Sequence, residues 1–146
     1  MRLGHLRRVV LATSLVAILG ACSSMGMGSS VNLGGTLSGS QEVPPVATSG
    51  TGRVDATFDK QSRKLSYTVV YSGLHAGASA GHLHGPAAMG QNAGVVVPFA
   101  NATSPIRGEA VLTEAQAADL LAGRWYANIH TSAHPGGEIR GQLMAR

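Results

Sequence analysis

The chain has 146 residues, 44% of them hydrophobic and only 12% charged, with 20 glycines. That length suits one domain, and the apolar content is too high for a disordered chain. Three of the 11 basic residues, Arg2, Arg7 and Arg8, fall in 1–21, which holds no acid, so the remainder carries eight against the 7 acids and has no basic field for nucleic acid.

Residues 1–21 read as a lipoprotein signal peptide. Arg7-Arg8 supply the positive start, VVLATSLVAIL at 9–19 the apolar run, and Gly20-Ala21 the small-residue end. The run is shorter than the roughly 20 residues that a permanent span needs. Leu19-Gly20-Ala21-Cys22 matches a lipobox, with cleavage expected after Ala21 and diacylglycerol on Cys22, the only cysteine. No intramolecular disulfide is then possible. Ser23 follows the cysteine where an aspartate would signal retention, which suggests sorting to an outer membrane. Residues 22–30 read as a flexible tether, and 31–146 as the folded domain.

From Val31 onward, turn signals recur at short intervals. A first strand is expected over 31–38. Pro44 and Pro45 force 41–51 to be extended or looped, since neither proline can donate to a ladder. Val54, Ala56 and Phe58 alternate with polar residues, as do Leu65, Tyr67 and Val69, and the link 59–63 makes the two runs a hairpin. A glycine-rich loop at 72–81 leads into a short strand with His82 and His84. Further strands are expected at 94–99 and 107–112. Thr113 and Gln116 form a capping-box pattern ahead of a helix that Gly123 ends. Strands at 124–130 and 138–143 flank the turn SAHPGG as a second hairpin. The fold class is therefore all-β, an antiparallel β-sandwich (Ig-like or superoxide-dismutase-like) of about seven or eight strands with one short helix. Tyr67, Tyr71 and Trp125 are read as packing residues.

Three segments, LSGSQEVPPVATSGTG at 37–52, GHLHGPA at 81–87 and LLAGRWYANIHTSAHPGGEIRGQL at 120–143, closely resemble the CHRD domain, a module named from chordin and common in secreted bacterial proteins. The resemblance spans about 32–144. It implies an extracytoplasmic β-sandwich and says little about activity.

Four histidines lie in these motifs: His82, His84, His130 and His134. Residues two apart on a strand share a face, with Cα atoms about 6.5–7 Å apart, so two imidazoles can converge on one ion. Trp125, Ala127 and Ile129 are expected to face the core, which turns Tyr126, Asn128 and His130 the other way. If the strands carrying the two motifs are neighbours, three or four ring nitrogens meet, a set suited to copper or zinc. The equally open alternative is a structural network in which the rings bind backbone carbonyls. The His-x-His strand resembles the copper ligand layout of Cu/Zn superoxide dismutases, but that family's long metal-binding loop and disulfide cysteines are missing. Glu138 and Arg140 share a strand face beside His134. They are candidates for supporting a ligand histidine, although solvated strand charges are the simpler reading. His75, outside the motifs, is expected in solvent.

No Gly-x-Ser-x-Gly elbow, phosphate loop or paired glycosidase carboxylates occur. The sequence thus points to a non-catalytic binding or structural module, exported and lipid-anchored. Its partner would be an envelope protein, an extracellular ligand or a metal ion. The alternative is a copper- or zinc-binding envelope metalloprotein.

Overall fold

A computed structural model describes residues 28–146. The expected signal peptide, with its cleavage site at Ala21, the expected lipidation site Cys22 and most of the expected tether lie outside the described residues. The elements in order are β1 (Ser30–Ser38), a 3-10 turn (Gly39–Gln41), β2 (Thr51–Asp59), β3 (Lys64–Ser72), β4 (Ala78–His84), β5 (Val95–Pro98), β6 (Ile106–Val111), α1 (Glu114–Leu121), β7 (Trp125–Thr131) and β8 (Ile139–Ala145). Among the described residues, no helix is long and apolar enough to cross a membrane.

All eight strands belong to one antiparallel sheet in the order β5-β4-β7-β8-β1-β2-β3-β6. The all-β reading, with its strand number and single helix, is borne out. The two layers of the expected sandwich are opposite arcs of one sheet that curls until it is nearly closed. Contacts between the two ends of the strand order show the curl. Phe99, just past edge strand β5, packs its ring 5.2 Å from that of Tyr67 on β3. The Tyr71 hydroxyl on β3 donates to the Ala102 carbonyl in the loop after β5.

Strand periodicity fills the interior. Leu33, Val54, Phe58, Leu65, Val69, Leu83, Ile106, Trp125, Ile129, Ile139 and Leu143 come from seven strands into one buried cluster. The β2–β3 hairpin pairs Asp59 with Lys64. The Asp59 carboxylate accepts from the Gln61 and Ser62 amides, which holds the turn. Helix α1 carries the expected capping box. The Thr113 hydroxyl accepts from the Gln116 amide, and the Gln116 side chain accepts from the Thr113 amide. Leu120 and Ala117 close one end of the core.

Candidate metal centre

The site follows from the pleat. In β4, β7 and β8 the inward positions Leu83, Trp125, Ala127, Ile129, Ile139 and Leu143 are buried in the core. The intervening side chains therefore share the outer face. Register sets them in rows across three strands: His84, Tyr126 and Gln142 in one, His82, Asn128 and Arg140 in the next, with His130 opposite Ala80.

Much of this outer face is covered. Segments 39–50 and 85–94 lie across it and are themselves joined, the Asn92 amide donating to the Val43 carbonyl at 3.1 Å. Glu138 and Arg140, read as solvated strand charges, are instead 0% and 2% exposed. The physical reason is this second layer of loop, which buries both faces of β7 and most of β8. The Arg140 guanidinium stacks 3.4 Å over the Tyr126 ring and donates to the Asn92 side chain at 3.0 Å and the Gln91 carbonyl at 2.6 Å. His84 also stacks on Tyr126, centroids 4.8 Å apart and planes 1° from parallel. Gln142 donates to the carbonyls of Ala87 and Gly123.

Three of the four expected histidines converge. His82 Nδ1 lies 3.1 Å from His130 Nε2. His84 Nε2 and His130 Nε2 each lie 3.0 Å from the same amide atom of Asn128. One ligand atom from each of His82, His84 and His130 falls within 4.8 Å of the others. The far nitrogens decide the tautomers. His84 Nδ1 sits 3.0 Å from the Ala93 carbonyl and His130 Nδ1 2.8 Å from the Pro135 carbonyl. A carbonyl can only accept, so both Nδ1 atoms carry hydrogen. In neutral rings this leaves both Nε2 lone pairs aimed at the common point beside Asn128. Burial holds His84 below the ordinary imidazole range, partly offset by its hydrogen bonds to Ala93 and Asn128. Burial does the same to His82, reinforced by His130 and His84.

His134 does not join them. β7 ends at Thr131, whose amide and hydroxyl bond His134 in a tight turn. That turn swings the His134 ring to His75, with His75 Nδ1 and His134 Nε2 2.9 Å apart. Of the three or four nitrogens expected to meet, three do; His75 is exposed as expected, its side chain 45% accessible, and its ring also meets that of His134. Glu138 belongs with this second pair, accepting from Thr48 and Thr131 hydroxyls at 2.6 and 2.7 Å.

Sequence reasoning gave Asn128 and Tyr126 only as neighbours of His130 in parity and missed Glu42. Glu42 is buried, and its Oε1 has no hydrogen-bond partner among the described residues. Burial raises its carboxyl to about 7 against the opposing pull of Arg140. Gly137, at φ +126, lies against that oxygen, where a Cβ would collide with it. Beside Glu42 a cavity of about 390 Å³ opens toward Met89, Arg140 and Gln142.

A family model for the CHRD domain matches residues 33–143. The chain belongs to the CHRD domain family. No curated protein and no solved structure matches it. The three segments that carried the resemblance meet on one face of this CHRD domain: Glu42 from the first, His82 and His84 from the second, and Tyr126 through Gln142 from the third. The distinctive residues of the CHRD chain are thus neighbours in space although they span a hundred positions in sequence.

Proposed function

We propose that this CHRD protein is a non-catalytic, lipid-anchored envelope module that binds a borderline divalent metal, Cu(II) or Zn(II), through His82 Nδ1, His84 Nε2 and His130 Nε2. One observation carries the metal reading. The Nδ1–H groups of His84 and His130 are engaged by backbone carbonyls, so both Nε2 atoms turn to one point. Ligand histidines generally have the other ring nitrogen fixed in this way. With metal–nitrogen bonds of about 2.0–2.1 Å, tetrahedral ligand atoms stand roughly 3.3 Å apart. The 3.1 Å between His82 and His130 is close to that spacing. The Asn128 amide oxygen is placed to complete the set, or its nitrogen to donate to both rings when no ion is bound. Neutral histidines, favoured here by burial, are the form that ligates.

Export and anchoring rest on Arg7-Arg8, the apolar run and the Leu19–Cys22 motif. An acylated Cys22 holds the domain at the outer membrane, since each buried CH₂ contributes about 0.8 kcal/mol. Cys22→Ser releases the protein from the membrane fraction, and mass spectrometry of the native chain finds the diacylglycerol.

The metal reading is tested by thermal denaturation of the untagged protein with added Zn(II) or Cu(II). A native-state ligand at a hundred times its Kd stabilises by about 2.7 kcal/mol, so Tm rises. His82→Ala and His130→Ala remove the part of that rise that the trio supplies. An unchanged wild-type Tm at millimolar metal refutes the assignment.

A further inference from the structure

The second histidine group lies where the β3–β4 loop meets the β7–β8 turn. His75 Nδ1 and His134 Nε2 are 2.9 Å apart, and Glu138 Oε1 is 3.6 Å from His75 Nδ1. The three ligand atoms lie within 4.8 Å of one another. Their surroundings are asymmetric: the His75 ring is nearly half exposed, whereas the carboxylate is wholly buried.

The Glu138 carboxylate accepts hydrogen bonds from the Thr48 and Thr131 hydroxyls and the His75 amide, which fix its position. Among the described residues, the only ion-pair partner within 4.0 Å of this buried charge is the His75 ring. No lysine or arginine neutralises it there. Two imidazole nitrogens beside a buried carboxylate form a donor set that a divalent ion can occupy.

We propose that His75, His134 and Glu138 form a second site for a borderline divalent cation, Zn(II) or Cu(II), separate from the His82–His84–His130 trio. The nitrogens need to part by only about 0.4 Å to reach the roughly 3.3 Å spacing of tetrahedral ligands. His75 sits between Gly73 and Gly77 in an exposed loop that can supply the movement. The open side of the site faces solvent, so its ion exchanges with the medium, while in the trio His84 is buried and His82 and His130 are half-buried. Both sites are built on one turn: His130 Nδ1–H donates to Pro135, next to His134.

The test is calorimetric titration of the full chain in detergent with Zn(II) alone. Wild type is expected to bind two equivalents. His75→Gln and His134→Gln leave one, and His82→Gln leaves the other. His75→Gln replaces an exposed ring, and an unchanged metal-free Tm confirms that the variant is folded. One wild-type equivalent that survives His75→Gln but not His82→Gln overturns the second site and leaves the trio standing. One equivalent lost only with His75→Gln supports this site and removes the trio. No binding overturns both.

Discussion

The β2–β3 and β7–β8 hairpins share one strand period and end in opposite environments. In β2–β3, Val54, Ala56, Phe58, Leu65 and Val69 fill the core, while the other face meets water and carries the exposed pairs Arg53–Asp55 and Lys64–Glu109. In β7–β8, the inward face is equally apolar, but Asn128, Arg140 and Gln142 on the outward face are buried too. Two loops distant in sequence make the difference. A polar side chain under that layer must find a protein partner, whereas one on β2–β3 can use water. The comparison explains why the buried polar side chains gather around the β7–β8 hairpin and its neighbours.

The largest expected effect tests what the two hairpins have in common. Trp125→Ala, at the fully buried start of β7, lowers stability by about 3–5 kcal/mol in chemical denaturation, as a large core truncation on either hairpin should. Arg140→Ala probes what sets them apart. It leaves the Gln91 carbonyl and Asn92 amide oxygen without their donor and removes the cation that opposes Glu42. A loss of about 3 kcal/mol is expected, and a loss below about 1 kcal/mol means that the loop layer admits water freely.

Glu42 gives the same contrast as a pH dependence. Its carboxyl rises from 4.5 in the free residue to about 7 in the fold. Between those values the folded state binds the proton that the unfolded chain has lost. Stability therefore declines as pH rises through the window from 4.5 to 7, on the order of 3 kcal/mol in total. Glu42→Gln removes this component, so wild type and variant diverge across that window and run parallel outside it. Equal slopes would show that the group is solvated. The smallest effect belongs to the solvated hairpin: Lys64→Ala, which breaks an exposed pair with Glu109, leaves the chemical-denaturation midpoint almost unchanged.

Most of the fold was legible because it is local. Alternation placed both hairpins, Thr113 and Gln116 announced the helix start, and the parity of Trp125, Ala127 and Ile129 gave the core side of β7. The meeting of His82, His84 and His130 needed one further fact, that β4 and β7 are neighbours, which no period encodes. His134 was read correctly as a turn residue, but whether it joined the other three stayed open because strand parity does not extend through a turn. Glu138 and Arg140 were read as surface charges because what buries them comes from 39–50 and 85–94. Glu42 had no local signal beyond its place before Val43-Pro44-Pro45.

Strand direction carries a last consequence. β1 runs from Ser30 beside Asp59 to Ser38 beside Arg140, and β7 runs the opposite way to β8, ending at Thr131. The polypeptide thus arrives from its proposed acyl group at one pole of the barrel, and His75 and His134 crown the other. Under the proposed anchoring, that crown is the pole opposite the chain's entry into the domain.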